Sequence, residues 1–256
     1  MNEQIIMILT ICAAVLYLSA AILDFFKKTV KISRILWILG IACNAAIVID
    51  NWIVNGYVPF VSMYQVLTFL ALIFAPIYLY VWRLQDGGWM ARYFCFASGI
   101  CMIGVNFMSG GGLWHFPPAL QSVWFVPHIL AYMIAYSLCA VACILTVTSF
   151  FHKNDRPRLD AGTYSLVCAA FPFMTMGMLW GAIWANDIWG AFWSFDAKEN
   201  WALVTWLMYA VYLHFRRHGQ LKKFAKIFVV LGFICIVITM LFVNVMGGSS
   251  QHSYSM

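Results

Sequence analysis

Eight apolar runs constrain this chain more than any other feature of its sequence. A membrane-crossing helix needs about 20 mostly apolar residues. With 64% hydrophobic and only 9% charged residues, the chain has too little polar surface to fold as a soluble domain. We therefore predict an all-α, polytopic membrane helix bundle of about eight transmembrane helices, built as one integral-membrane domain over residues 1–256. The runs cover residues 4–24, 33–51, 60–82, 90–107, 126–151, 163–185, 200–216 and 224–246.

The Lys and Arg residues predict which ends of these helices face the cytoplasm. All but one of the 15 fall in alternate connections between the apolar runs, and the exception is Lys198. Because cytoplasmic connections carry the excess of positive charge, both termini are predicted to lie on the outer side. The connections 51–59, 108–127 and 187–200 are predicted to lie there too. The net charge of +6 is thus a topology signal and gives no indication of nucleic-acid binding.

A tryptophan-rich stretch stands out on the predicted outer side. Half of the 12 tryptophans lie in it, namely Trp180, Trp184, Trp189, Trp193, Trp201 and Trp206. We predict an external Trp-rich loop at about 180–201, whose flat rings suit stacking on a planar macrocycle. An aromatic belt at the lipid interface is the alternative. Asp196, Lys198 and Glu199 could orient this loop, or the two acids could serve only to begin the next helix.

Three of the six histidines are candidate ligands of a haem iron. His128 and His252 are predicted on the same outer side, where two neutral imidazoles can bind iron from its two faces. His214 is predicted within the membrane near the inner face, where an ionisable side chain is a functional candidate. Its opposite ligand is expected from another chain. His115 could contribute outside, although a plain loop residue is favoured, and His152 and His218 are interpreted as solvated loop residues.

The tryptophan-rich stretch resembles the WWD motif of the haem-handling membrane proteins of cytochrome c maturation. Its continuation KENWALVTWLMYAVYLH, residues 198–214, is similar to the CcsA/ResC-type subunit of the system II cytochrome c synthetase. PALQSVWFVPHILAYMIAY (118–136) and FVNVMGGSSQHSYS (242–255) resemble the stretches around the two external histidines of that subunit. The amino-terminal third resembles it more weakly, chiefly in GYVPFVSMYQVLTFLAL.

The resemblance implies a set of haem-contacting residues. His128 and His252 would be the external iron ligands and His214 the intramembrane one, with haem b as the transported ligand. The other predicted haem contacts are Trp184, Trp189, Gly190, Trp193, Asp196, Glu199 and Trp201. This chain departs from the family pattern with Phe195 where Trp is usual, Ala197 where Pro is frequent, and Gln65 where Glu is common.

The resemblance also implies a function. The protein would be a membrane subunit of a cytochrome c synthetase (a haem lyase) that carries haem across the membrane and presents it for thioether attachment to the CXXCH segment of apocytochrome c. It would work with a ResB/CcsB-type partner in the bacterial inner membrane, with its site facing the periplasm. No residue is expected to act as a nucleophile, because the apocytochrome supplies the thiols. The alternatives are a haem exporter without ligase chemistry, a haem-containing quinol electron-transfer subunit, and a structural subunit whose aromatic residues only anchor it.

Overall fold

The computed structural model describes residues 1–26, 28–85, 87–108 and 117–242. Over these ranges the chain forms α-helices with short 3-10 turns and no strand, which confirms the all-α prediction. A π-helical turn, Ile238–Phe242, continues the last helix. The helices are α1 (Glu3–Leu23), α2 (Val30–Asn55), α3 (Met63–Gln85), α4 (Ala91–Asn106), α5 (Phe125–Phe151), α6 (Arg156–Trp189), α7 (Ala197–Arg217) and α8 (Ala225–Val237).

Six segments in the described ranges are long and apolar enough to cross a membrane. They are α1, α2, α3 as far as Arg83, Gly87–Asn106, α5 and α6. The helix α7 is not among them, and it carries Lys198 and Glu199 in its first turn and Arg216 and Arg217 in its last. The last apolar segment, Ala225–Leu241, is shorter than a full span. Eight crossings and outward-facing termini therefore stay predictions.

The helices group into two compact units. The first contains α1 to α4 and the second contains α5 to α8. In the first unit, hydroxyl groups link neighbouring helices: Ser33 donates to the Ala20 carbonyl at 2.8 Å and Ser98 to the Ala71 carbonyl at 3.0 Å. An ion pair between Arg92 and Asp24, at 3.3 Å, closes its Lys/Arg-rich end. The prediction of one domain over residues 1–256 stays a prediction.

Short connections set the arrangement of the second unit. Only residues 152–155, 190–196 and 218–224 separate its helices, so consecutive helices run antiparallel. Near the middle, the indole N–H of Trp206 in α7 donates to the Thr175 hydroxyl of α6 at 2.9 Å. One end of this unit therefore gathers the start of α5, the end of α6 and the start of α7. The other end gathers the basic residues.

The predicted Trp-rich loop is wrong at both ends. The helix α6 continues to Trp189, so residues 180–189 are helical, and α7 already begins at Ala197. The connection is only residues 190–196. With 34 residues, α6 is longer than the ~20 that a span needs, and Trp184 and Trp189 lie in its last two turns.

Candidate functional site

The ring of His128 packs against the backbone of α6 at Gly177 and Gly181, and we call this arrangement the seat of His128. Its Nδ1 is 2.8 Å from the carbonyl oxygen of Gly177, and because a carbonyl only accepts, this nitrogen carries the proton. In the neutral imidazole the lone pair then lies on Nε2, the form in which histidine binds a metal. A Cβ at Gly181 would come within 2.6 Å of two ring atoms. Gly181 thus lets the imidazole lie against the backbone of α6, and a Cβ at Gly177 would instead meet the Tyr132 ring at 2.9 Å.

Trp184 supports this seat from one turn further along α6. It is 3% exposed, and its indole N–H donates to the carbonyl of Ala119 at 2.9 Å. Its ring centroid lies 5.7 Å from that of His128, 5.3 Å from that of Phe125 and 5.1 Å from that of Trp189. The predicted direct haem contact of Trp184 stays a prediction, but its N–H is already engaged by backbone, so its visible role is to pack beside His128.

Gly190 ends α6. It adopts a left-handed conformation with φ of 75°, and its N–H donates to the carbonyl of Asn186. A Cβ placed there would meet nothing within 4 Å, so the requirement for glycine is conformational and has no steric component. The Trp189–Gly190 pair of the motif therefore sets the end of α6 at Trp189, and the connection begins at Gly190.

Asp196 and Glu199 form a capping box at the start of α7. The Glu199 N–H donates to Asp196 Oδ1 at 2.8 Å, and Glu199 Oε2 accepts from the Asp196 N–H at 3.3 Å. The same oxygen accepts from the Ser194 N–H at 2.8 Å. The interpretation that these acids begin the helix is confirmed. Their contact with haem stays a prediction.

Lys198 lies in the first turn of α7, before the predicted span 200–216. Partial burial lowers the pKa of its ammonium to about 8, and the negative charge of Asp196 opposes that shift. The amine is therefore less basic than that of an ordinary surface lysine.

The connection between α6 and α7 turns aromatic side chains outward. Phe195 is 76% exposed and adopts φ of 60°, a conformation that residues other than glycine rarely take. Asn200 holds it there by donating to the Phe195 carbonyl at 2.7 Å. Trp193 packs edge-on to Phe195 with ring centroids 6.4 Å apart. Strain of this kind persists where the surroundings enforce it, and it is concentrated at functional sites.

His214 lies at the other end of α7, in the last turn before the basic residues. It is exposed, and its ring centroid is 4.5 Å from that of His218, which caps the helix. The interpretation of His218 as a solvated loop residue overlooked this proximity, which the four-residue spacing could have predicted. The two rings project from the same helix face, so they are not arranged to bind one iron from opposite sides.

The structure gathers the predicted site residues at two separate places. Trp184 contacts both His128 and Trp189 near the end of α6. Gly190, Trp193 and Asp196 follow in the next connection, and Glu199 lies in the first turn of α7. Trp201 lies half-buried in the first turns of α7. His214 is 18 residues from Asp196 along α7, a rise of about 27 Å. His252 and His115 lie outside the described residues.

Sequence reasoning missed the groups that hold the site together. They are Gly177, Gly181, Ser194, Asn200 and the backbone of Ala119. The Gly177–Gly181 spacing was a readable signal, because small residues four apart let helices approach closely. The backbone partner of Trp184 could not be read from sequence, since it depends on the path of a connection 65 residues earlier.

Comparison with known proteins gives one consistent result. The family described as "Cytochrome C assembly protein" matches residues 60–250. The chain is 30% identical over 248 residues to the "Cytochrome c biogenesis protein CcsA" of Chlamydomonas reinhardtii, covering 89% of this chain and 69% of that one. It is 30% identical over 284 residues to the protein of the same name from Trieres chinensis, covering 91% and 90%. For that of Prochlorococcus marinus (strain MIT 9312), identity is 26% over 273 residues, covering 90% and 86%.

Proposed function

We propose, because this chain belongs to the cytochrome c assembly family and is a CcsA-type member of it, that it carries haem across a membrane and presents it to apocytochrome c. Membership of the family supports a role in cytochrome c maturation. The haem is cargo and substrate in this proposal, and the apocytochrome is the second substrate. The protein acts in the bacterial inner membrane, with its site facing the periplasm.

The observation that carries the proposal is the seat of His128. The hydrogen bond from Nδ1–H to Gly177 fixes the tautomer and the ring orientation, and it raises the basicity of Nε2. Metal-bound histidines in proteins are held in this way. This arrangement supports His128 as one axial ligand of the external haem, and His252 is proposed as the ligand on the other face.

The connection between α6 and α7 is proposed to hold one edge of the haem. Trp193 and the exposed ring of Phe195 supply flat apolar surface, and the capping box keeps their backbone in place. The vinyl edge is left open toward the apocytochrome. Each cysteine S–H of the CXXCH segment then adds across one vinyl double bond, which forms a C–S and a C–H bond. The chain contributes positioning, which can supply much of the rate enhancement of such a step.

His214 is proposed to receive haem at the opposite end of α7. Its exposure and the same-sided position of His218 support the need for an opposite ligand from another chain. A ResB/CcsB-type partner is the proposed source. Haem then passes to His128 and His252, and the histidine of the CXXCH segment displaces one of them as the product leaves.

The test uses the complex reconstituted with its partner. Its haem spectrum and its yield of thioether-linked cytochrome c are measured for His128→Ala, for His252→Ala and for His152→Ala. The control, His152, is an exposed histidine at the other end of α5. We expect the first two variants to lose low-spin external haem and product, and the control to keep both.

Three results would reject the proposal. If His128→Ala and His252→Ala retain bound haem and product, the external site is elsewhere. If the unaltered complex moves haem across the membrane but forms no thioether-linked product, the exporter alternative is correct. Reduction of the haem by quinol, with no product, would instead indicate an electron-transfer subunit.

A further inference from the structure

A cationic pocket of about 350 Å³ lies at the Lys/Arg-rich end of the second unit. Four helices meet there: the end of α5, the start of α6, the end of α7 and the start of α8. The charged side chains around it are Arg156, Asp160, Arg216, Lys222, Lys223 and Lys226. We propose that this pocket binds the phosphate headgroup of an anionic phospholipid.

The back of the pocket is a built polar cluster. Lys226 Nζ lies 2.6 Å from Asp160 Oδ1 and 2.9 Å from the hydroxyl of Ser149, which joins α8 to α6 and α5. Arg216 donates to the backbone carbonyl of Asp160 at 3.4 Å. The lining also includes Tyr212, a buried side chain that is 2% exposed. This cluster fixes the positions of two cations before any ligand binds.

Among the described residues, no carboxylate balances the positive charge of Arg156, Lys222 and Lys223 around the pocket. Asp160 is the one carboxylate in the lining, and it is already paired with Lys226. Over the described ranges, no carboxylate lies within 4 Å of the charged groups of Arg156, Lys222 or Lys223. Side chains of this kind bind phosphate oxygens through charge-assisted hydrogen bonds. A bound phosphate would relieve the mutual repulsion of these cations.

An apolar stripe on α8 begins at the same place and identifies the source of the phosphate. Phe224, Ile227, Leu231 and Ile234 are exposed by 55%, 55%, 40% and 48%. Their spacing places them along one face of the helix. From the first to the last the helix rises about 15 Å, which is half of a hydrocarbon core about 30 Å thick. Acyl chains can lie along this stripe while the headgroup occupies the pocket, whereas free phosphate needs no such surface.

The predicted position of the pocket on the cytoplasmic side of the membrane is consistent with an anionic lipid as its ligand. The pocket lies among the basic residues that the positive-inside rule assigns to the cytoplasm. The cytoplasmic leaflet is rich in anionic lipids, and basic pockets between helices at that surface bind their headgroups. The pocket is distinct from the exposed His214–His218 pair, because neither histidine belongs to its lining.

The test compares lipid binding by the full chain and two charge-matched variants. Native mass spectrometry of the purified protein measures binding of phosphatidylglycerol, with phosphatidylcholine as the zwitterionic reference. The pocket variant is Lys222→Gln with Lys223→Gln. The control, Lys28→Gln with Lys31→Gln, removes the same charge from exposed positions in the first unit. All four lysines are exposed, so both variants are expected to fold.

We expect one phosphatidylglycerol to bind in preference to phosphatidylcholine, and the pocket variant to bind it about 30-fold more weakly. The control variant should bind it as the unaltered chain does. Equal binding of the two lipids, or equal losses in the two variants, would overturn the proposal. Full displacement of the lipid by excess inorganic phosphate would show a site for soluble phosphate and would also overturn it.

Discussion

The two ends of the second unit treat their histidines differently. At one end, the His128 ring is oriented by a backbone carbonyl at 2.8 Å, a glycine that leaves room for it and the buried ring of Trp184. At the other end, His214 is exposed, and across the described ranges its one ring contact is with His218. The first imidazole is pre-organised by this chain, and the second is not.

This difference indicates that the two proposed haem positions depend to different degrees on a partner chain. A ligand that its own chain already orients loses little freedom when it binds iron, because the entropy of ordering it is lost on folding. An exposed histidine must be ordered at the moment of binding. The external position should therefore be sensitive to small changes inside α6, and the inner position should be sensitive to the partner chain.

The largest expected effect comes from filling the seat of His128. In Gly181→Ala the new Cβ would lie 2.6 Å from the ring, so the imidazole must leave its hydrogen bond to Gly177. We expect the affinity of the external position for haem to fall by about 10–100-fold, as when the groups that orient a metal-binding histidine are lost. Haem titration of the partner complex measures this.

The matched control is Gly104→Ala in α4. There the nearest side-chain atom to a new Cβ is a Leu67 methyl at 3.4 Å, an ordinary contact. Both substitutions raise helix propensity by a similar amount, so a general stabilising effect is shared between them. If Gly181→Ala binds haem as tightly as Gly104→Ala does, His128 is not held in the way that its geometry indicates.

The sequence predicted the helices better than the site that they build. Apolar runs located most helix ends within about four residues, since burial in lipid requires long apolar segments, but α6 begins seven residues before the run 163–185. Residue type and predicted position then identified His128 and Trp184 as candidate haem-contacting residues. What supports them, Gly177 and the Ala119 carbonyl, depends on which helix faces meet, and that is a tertiary property. The loop between α6 and α7 was predicted too long because its start was placed at about 180, or at Asp187 as a connection, although Gly190 is a typical residue to end a helix.

Haem content of the partner complex should depend on His214 and not on the neighbouring His218. We expect His214→Ala to lower the haem content of the partner complex by up to about tenfold, because an iron ligand is removed. His218→Ala should leave it unchanged, since the two rings project from the same helix face. Absorbance of low-spin haem in the purified complex measures both. Equal losses in the two variants would contradict this prediction and would show that His218 is also needed for haem binding.

A smaller effect is expected from the capping box that holds the outer connection. Asp196→Ala removes the acceptor for the Glu199 N–H and should lower the free energy of unfolding by about 1 kcal/mol. Asp196→Asn keeps an acceptor oxygen at that position and should restore most of the loss. Thermal unfolding in detergent measures the difference. Asp187→Ala, at an exposed position near the end of α6, is the control, and a loss as large as that of Asp196→Ala would contradict the cap.

The last prediction uses chemical labelling of lysines and concerns sidedness. It tests whether the His128 end and the His214 end of the second unit lie on opposite sides of the membrane, as the comparison requires. Lys198 is the one lysine predicted outside, and the pKa of its amine is lowered to about 8. An amine-reactive reagent modifies the neutral form, so half-maximal labelling of Lys198 is expected near pH 8. A membrane-impermeant reagent added to intact cells should therefore modify Lys198 and leave Lys222 and Lys223 unmodified, as read by peptide mass spectrometry.

Because the Asp196 carboxylate raises the pKa of Lys198, Asp196→Asn should move the midpoint of Lys198 labelling to lower pH. Labelling of Lys222 and Lys223 in place of Lys198 would reverse the assignment of the two ends, and with it the side on which His128 meets the apocytochrome.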